Sequence, residues 1–102
     1  MDHGGFDWDA GNWPKCGKHG VSKAEIEYAL THGPKIAPDV KHSEVEDRFI
    51  AVCRNQDGRA MFIGFTFREM GGKRLVRPVT ARYMHAKEAQ RYAAQSAENE
   101  DR

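Results

Sequence analysis

Apolar and polar residues alternate from Phe65 to Tyr83 in the pattern that is typical of a β-hairpin. Gly71 and Gly72 interrupt the alternation, and both can adopt the positive φ angles of a tight turn. The wider pattern predicts three consecutive strands, over Glu46–Arg54, Arg59–Arg68 and Lys73–Arg82. Strands that follow one another through short turns form an antiparallel meander.

One helix is marked clearly by its end signals. Ser22 and Glu25 have the spacing of a capping box, in which each side chain bonds the backbone N–H of the other residue. Apolar residues then follow at helical spacing: Ile26, Ala29 and Leu30. Gly33 and Pro34 end the helix, because glycine accepts the left-handed conformation and proline prevents continuation.

Weaker patterns predict the remaining elements. The alternation over residues 6–9 predicts a short N-terminal strand, and a short helix follows from about Asn12 to Lys18, with Pro14 in its first turn. Residues 35–40 form a short extended piece, and Ala86–Gln95 forms a last helix. The prediction is therefore an α+β fold: an antiparallel sheet, made of the short strand and the three-stranded meander, with two N-terminal helices and one C-terminal helix.

The chain of 102 residues has the length of one domain. We expect this domain over residues 6–95, after a flexible N-terminus over 1–5 and before a disordered acidic tail over 96–102. No apolar run approaches the roughly 18 residues of a membrane span, and the N-terminus lacks the apolar core of a signal peptide. We therefore expect a cytoplasmic protein with no membrane partner and with its cysteines reduced.

The net charge of +1 conceals an uneven distribution along the chain. Residues 1–47 contain five basic and nine acidic residues, whereas residues 48–91 contain ten basic and three acidic ones. This cationic half favours an anionic partner, nucleic acid above all. The alternative is that acidic residues of the first half pair internally with the arginines, and charge alone leaves both interpretations open.

Alternation divides the hairpin into two faces. In the second meander strand one set of alternate residues is entirely apolar and predicts the core face: Met61, Ile63, Phe65 and Phe67. Thr66 and Arg68 then point out of the opposite side, where Gly64 leaves room. The preceding strand, which carries Glu46 and Arg48 on one side, has apolar residues on both sides, so that its orientation stays open.

Pro78 changes the interpretation of the third meander strand. Arg77 and Arg82 are five residues apart, so regular alternation would place them on opposite faces. Pro78 lies between them and has no N–H to donate to a neighbouring strand. A one-residue bulge at this point would reverse the alternation and bring both arginines beside Arg68.

Arginines gathered on one face suit the cleavage of RNA by its own 2′-OH. This reaction needs a proton acceptor, a proton donor and cations around the phosphate, and the planar guanidinium binds phosphate through two bonds. Glu46 is a candidate base, unless it only neutralises Arg48. Lys18 and His19 are candidate cationic or acid–base groups, unless they only cap the end of a helix.

Other kinds of site have little support. Cys16 and His19 have a metal-like spacing, but no second close pair of ligands completes a site. Cys53 fits a core position, and neither cysteine lies in a nucleophile motif. The sequence also lacks phosphate-loop and dinucleotide-binding motifs, so we expect neither a metal nor a cofactor.

Four segments, in this order, resemble the BrnT toxin family: FDWD…KCGKHGV, PDVKHSEVEDRFIAV, FTFRE and RPVTARYMHAKEAQRY. BrnT proteins are RelE-like ribonuclease toxins of bacterial type II toxin–antitoxin systems. The resemblance implies a RelE-like fold and a toxin that inhibits translation by cutting RNA, without a required metal. It also implies a cognate BrnA-type ribbon-helix-helix antitoxin. The toxin would then be linked to operator DNA only indirectly, through this antitoxin.

The family motifs match this sequence in the KHG, E-x-R, FTFRE and R-x-x-[ST]-A-R segments. The resemblance and the alternation together give these expected catalytic residues: Arg48, Arg68, Arg77, Arg82, Glu46 and His19. The expected RNA-binding residues are Lys18, Thr66, Lys73 and Arg74. Glu88 and Tyr92 match an E-x-x-x-Y pattern with a structural role. The alternative function is a non-catalytic RNA- or antitoxin-binding protein that acts as a transcriptional corepressor.

Overall fold

Four antiparallel strands form one sheet in the computed structural model, which describes residues 4–42 and 46–92. The strands follow one another in space as they do in sequence, and their bounds are β1 Lys35–Pro38, β2 Arg48–Arg54, β3 Ala60–Met70 and β4 Lys73–Tyr83. The helix α1 is Lys23–Thr31, and short 3-10 helices are Lys15–Gly17 and Val40–His42. Residues 86–92 are helical and are called α2 below. The predicted α+β class and three-stranded meander are confirmed.

The predicted capping box fixes the start of α1. The Ser22 hydroxyl accepts from the backbone N–H of Glu25, and the Ser22 backbone N–H donates to Glu25 Oε1, both at 3.1 Å. The apolar stripe of α1 is fully buried: Ile26, Ala29 and Leu30. The helix prediction is therefore confirmed, from its cap to its inner face.

The core lies between α1 and one face of the sheet. It contains Met61, Ile63 and Phe65 of β3, as predicted, together with Ala51 and Cys53 of β2. Because Ala51 and Cys53 face the core, the opposite side of β2 carries Arg48, Ile50 and Val52. We call the side of the sheet away from α1 the open face, and its residues on β2, β3 and β4 include Arg48, Ile50, Val52, Phe62, Gly64, Thr66, Arg68, Arg77, Thr80 and Arg82.

The predicted bulge interrupts the pairing of β3 with β4. Gly64 pairs with Thr80 and Phe65 pairs with Pro78, so that Val79 has no partner on β3. Pro78 has no N–H to donate, and its carbonyl oxygen accepts a 2.8 Å hydrogen bond from the buried Asn12 side chain. The extra residue reverses the alternation of β4, which confirms that Arg77 and Arg82 lie on the same face.

The N-terminal strand was assigned wrongly. Residues 4–7 run parallel to β4, held by hydrogen bonds such as Asp7 N–H to the Val76 carbonyl at 2.8 Å, but only Phe6 and Val76 form a β-bridge. A turn that begins at Asp9, whose carbonyl oxygen accepts from Trp13 N–H, stops the pairing after this point. The fourth antiparallel strand is instead β1, which was predicted only as an extended piece.

The predicted short helix from about Asn12 to Lys18 was also wrong, because residues 12–18 contain only one 3-10 turn, Lys15–Gly17. Pro14 lacks a backbone donor, and Gly17 has low helix propensity. Glycine is required at position 17, since a Cβ there would lie 2.7 Å from the Trp13 ring. The predicted last helix is confirmed over 86–92, whereas its residues 93–95, the tail 96–102 and residues 1–3 lie outside the described residues.

Glu25 ties α1 to the ends of two strands. Its Oε2 accepts hydrogen bonds from the Tyr83 hydroxyl at 2.6 Å and from the Asn55 side chain at 2.9 Å. These two donors, opposed by partial burial, lower the pKa of Glu25 to about 2, and the same bond to Glu25 raises the pKa of Tyr83. The Arg59 guanidinium covers the Tyr83 ring at 3.6 Å, which completes the cluster.

We predict that Glu25 contributes to stability in a pH-dependent way. Because its folded-state pKa of about 2 is below its ordinary value of 4.5, ionised Glu25 stabilises the fold fully above pH 4.5. This contribution is lost as the pH falls toward 2. Glu25→Gln is expected to lower the free energy of unfolding by about 2 kcal/mol at pH 7, and the difference from the unmodified chain should shrink between pH 4.5 and 2.

Urea unfolding at several pH values measures this difference. Glu69→Gln is the control, since it removes the same charge from an exposed position on β3. A deficit of Glu25→Gln that stayed constant down to pH 2.5 would show that the Glu25 carboxylate makes no special contribution.

Candidate functional site

Three arginines of the open face lie around Thr66, and Arg82 lies further along the same face. Arg48 of β2 and Arg77 of β4 are the direct neighbours of Thr66 across the sheet, and Arg68 is two residues further along β3. Arg82 lies opposite Phe62, toward the other end of the face. The bulge at Val79 therefore places Arg77 and Arg82 on the face of Arg68, as alternation and Pro78 predicted. Arg48 joins them from β2, whose orientation the sequence left open.

Arg77 is the most enclosed of the four, with 9% of its surface exposed. Its NH1 donates to Asp7 Oδ2 at 3.0 Å, and its NH2 donates to Asp9 Oδ1 at 3.0 Å. Both acidic residues belong to the stretch 4–9, which we call the N-terminal segment. The hydrogen bond to Asp9 raises the pKa of Arg77 and lowers the pKa of Asp9. Arg77 is thus held in an internal ion-pair cluster.

Alternation in the N-terminal segment explains how the acids reach Arg77. Phe6 and Trp8 pack against the core, so that Asp7 and Asp9 point the other way. The Trp8 indole N–H donates to Glu27 Oε2 on α1 at 2.9 Å, which fixes the segment from its apolar side. The roles of these two acids were missed at the sequence level. The available signal was the F-D-W-D alternation in an acidic half of the chain.

Arg68 is the more accessible neighbour of this cluster. Its side chain is 45% exposed, and its Nε lies 3.7 Å from Oδ2 of Asp7. The Asp7 side chain is 11% exposed and accepts the hydrogen bond from Arg77 as well. One carboxylate therefore lies between two guanidinium groups, and Arg68 keeps much of its surface available to an anionic ligand.

Arg82 is held by α2. Its NH1 and NH2 donate to Oε1 and Oε2 of Glu88 at 2.8 and 3.0 Å, in a two-bond ion pair. This pair raises the pKa of Arg82 and lowers that of Glu88. The guanidinium also lies 4.7 Å from the centre of the Phe62 ring. Glu88, which matched the family pattern, thus contacts the open face directly.

The remaining predicted residues lie at different places. Thr66 is 2% exposed and donates its hydroxyl to the Asp47 carbonyl at 2.7 Å, so it supports the loop before β2. Arg48 is half-buried in the same row of the sheet, and Glu46 is exposed two residues before it. Gly64 must remain small, because a Cβ there would lie 2.8 Å from the Thr80 methyl group.

The cationic residues of the hairpin tip lie on opposite faces. Lys73 shares the alternation of Arg77 and is exposed. Arg74 lies on the other face, where its guanidinium covers the Phe67 ring at 3.7 Å. Lys18 and His19 are exposed in the turn after the first 3-10 helix. Within the described chain, no hydrogen bond or ion pair joins either of their side chains to the four arginines.

The cysteines are not placed for chemistry. Cys16 and Cys53 are free and buried, and burial raises the pKa of Cys16 to about 11 and that of Cys53 to about 12. Both thiols therefore stay protonated near neutral pH. In residues 4–42 and 46–92, no three His, Cys, Asp or Glu side chains are grouped so that they could hold a metal ion. No helix in this part of the chain has the length and apolar character needed to cross a membrane.

The comparison with protein families gives a match over most of the chain. Residues 8–88 match the model of a family described as ribonuclease toxin, BrnT, of type II toxin–antitoxin system. A search of the curated proteins found no match. The matched residues include α1, the four strands and Glu88, and therefore cover the open face.

We predict that Arg77 and Arg68 have different effects on stability. Arg77→Ala leaves the Asp7 carboxylate enclosed without its principal partner, and it should lower the free energy of unfolding by about 2 kcal/mol or more. Arg68→Ala removes a side chain that is 45% exposed, and it should cost less than about 1 kcal/mol. Denaturant unfolding of the two variants measures both values. Small and equal decreases in the free energy of unfolding for the two variants would contradict the structural role of Arg77.

Proposed function

Since the chain belongs to the BrnT family of ribonuclease toxins from type II toxin–antitoxin systems, we propose that it is an endoribonuclease that cuts RNA and thereby inhibits translation. The observation that carries the proposal is the gathering of Arg48, Arg68, Arg77 and Arg82 on the open face. A polyanion is the natural ligand of such a face. The proposal includes the RelE-like fold that the resemblance implied.

Arg68 is the proposed main phosphate ligand. Its side chain is 45% exposed, whereas Arg77 is largely enclosed by Asp7 and Asp9. Arg48 on β2 and Arg77 on β4 are the two neighbours of Thr66 across the sheet, and Arg48 completes the phosphate site from the β2 side. Arg77 then acts as a positioning residue, because it holds the carboxylate beside which Arg68 lies.

The proposed reaction follows the requirements of 2′-OH attack. A base takes the proton of the 2′-OH, the oxygen attacks the adjacent phosphorus, and the 5′-oxygen leaves with a proton from an acid. The guanidinium groups stabilise the additional negative charge on the phosphate oxygens, so that the mechanism requires no metal. Glu46 is the proposed base because it is exposed two residues before Arg48, and His19 is the proposed acid.

Lys18 and Lys73 would extend the contact with the RNA backbone, since both are exposed cations. Thr66 supports the site through its bond to the Asp47 carbonyl. Arg74 would contribute from the rim of the opposite face, where it covers Phe67.

The proposed partner is a cognate antitoxin of the BrnA type, with a ribbon-helix-helix domain. Membership of a type II family implies an antitoxin partner. An acidic antitoxin segment could compete with RNA for Arg68 because both ligands are anionic. Operator DNA would then be contacted by the antitoxin, and the toxin would join the complex without touching DNA.

One observation favours a second, non-catalytic function. Arg77 and Arg82 already have carboxylate partners within the chain, so that two of the four arginines are neutralised in the free protein. In a protein that only binds RNA or antitoxin, and that acts as a corepressor, these internal pairs would be structural and the exposed surface of Arg68 would dock the anionic ligand.

We predict that Arg68→Ala strongly reduces RNA cleavage. Loss of one charged group that stabilises the transition state typically costs ~10²–10³-fold in rate. Arg68→Lys keeps the charge but loses the two-bond geometry, and it should retain an intermediate rate. Cleavage of a labelled RNA by the purified variants gives the rates, and growth arrest on expression gives the effect in cells. Unfolding curves of both variants provide the control for stability.

Unchanged cleavage by folded Arg68→Ala would refute the assigned phosphate site. The general proposal has its own test: the free chain should cut RNA in the presence of a chelator and should stop when the antitoxin is added. RNA binding without any cleavage under these conditions would favour the non-catalytic function.

A further inference from the structure

We propose that the outer face of the Arg82 guanidinium is a stacking platform for a nucleobase of single-stranded RNA. This inference rests on the proposed function and assigns a base-binding role to one part of the open face. It separates the four arginines into two kinds, those that meet phosphate and one that meets a base.

The edge of the Arg82 guanidinium is already occupied. NH1 and NH2 both donate to Glu88, and NH1 also lies 3.5 Å from the Tyr83 carbonyl oxygen. A phosphate that approached the same edge would have to replace a carboxylate that binds through two bonds. The ion pair also cancels most of the charge that would attract the phosphate. The edge formed by NH1 and NH2 is therefore a poor phosphate site.

One flat side of the same group is also covered. The Phe62 ring lies beneath the guanidinium at 4.7 Å, as the two residues are direct partners across β3 and β4. Yet 38% of the Arg82 side chain remains exposed. With NH1 and NH2 on Glu88 and the Phe62 ring on one side, we infer that the accessible surface includes the flat side away from Phe62.

A flat, fixed guanidinium is the kind of surface on which nucleobases stack. RNA-binding proteins stack unpaired bases on aromatic rings and on arginine planes. Glu88 holds the plane in one orientation, so that little side-chain freedom is lost when a base binds. Among the neighbouring arginines of the open face, Arg77 is enclosed, and Arg68 lies 3.7 Å from the Asp7 carboxylate through Nε.

The location fits a strand of RNA that crosses the open face. Phe62 and Thr66 are four residues apart on β3, which is about 13 Å. The platform at Arg82 and the arginines around Thr66 therefore lie at opposite ends of the same face. Arg68 is six residues from Phe62 along β3, about 20 Å, so an RNA whose phosphate meets Arg68 could place a base a few nucleotides away on Arg82.

Binding of a short 2′-O-methyl RNA tests this proposal, because the missing 2′-OH prevents cleavage. The probes are a 2′-O-methyl hexanucleotide and its six versions that each lack one base. Arg82→Lys keeps the positive charge but removes the plane, and it should bind the intact probe about 10-fold more weakly, as expected for one lost base stack. The unmodified chain should bind one of the six incomplete probes about 10-fold more weakly than the intact probe. Arg82→Lys should not distinguish that probe from the intact one.

Phe62→Leu is a second variant, which keeps Arg82 and Glu88 but removes the ring beneath the guanidinium. Phe62→Leu should bind the intact probe several-fold more weakly than the unmodified chain does. Its affinity for the probe that lacks the stacked base should be unchanged. Arg68→Ala is the matched control, since loss of a phosphate ligand should weaken all seven probes alike. Melting curves identify any variant that fails to fold, and the conclusion then rests on the other one.

The proposal is overturned if folded Arg82→Lys and Phe62→Leu bind the intact probe as tightly as the unmodified chain. It is also overturned if, for the unmodified chain and for every variant, all six base-deficient probes bind more weakly than the intact probe by the same factor. These outcomes differ from failure of the proposed function, which would appear as no cleavage of ordinary RNA by the unmodified chain. Cleavage with no effect of the Arg82 variants would remove only the platform.

Discussion

A missing hydrogen-bond donor determines how the open face is arranged. Pro78 has no N–H for β3, and the pairing resumes with Val79 left out. The placement of Arg77 and Arg82 on one face follows from this residue. Without the bulge Arg77 and Arg82 would face opposite sides of the sheet, one of them in the core. The Pro78 carbonyl oxygen accepts a hydrogen bond from the Asn12 side chain, which connects the turn after the N-terminal segment with β4.

The second constraint is electrostatic. Four guanidinium groups on one face repel each other, and the chain counters this repulsion with carboxylates from both of its ends. Asp7 and Asp9 neutralise Arg77, whereas Glu88 neutralises Arg82. Internal pairing, one of the two alternatives that the charge distribution left open, is therefore observed at Arg77 and Arg82. Some pair internally, and Arg68 keeps an exposed cationic surface for a ligand.

Local signals in the sequence predicted the parts of the fold that depend on local chemistry. The capping box at Ser22 gave the start of α1, and the apolar set around Phe65 gave the core face. The bulge was predictable because proline always lacks the same donor. The N-terminal segment was not, since its bridge to Val76 joins residues that are far apart in sequence. The orientation of β2 also depended on packing, because only the position of α1 distinguishes its two apolar sides.

The distance along the chain between Asp7 and Arg77 has a consequence for folding. Their hydrogen bond joins residues 70 positions apart, and the bond between Tyr83 and Glu25 joins residues 58 positions apart. Closing such long loops has a high entropic cost, so contacts of this kind tend to form late, after the local turns and hairpins. The neutralised arginine cluster therefore exists only once β4 and the N-terminal segment have come together. A nascent chain that ends before β4 lacks Arg77 and Arg82 and therefore has no assembled open face.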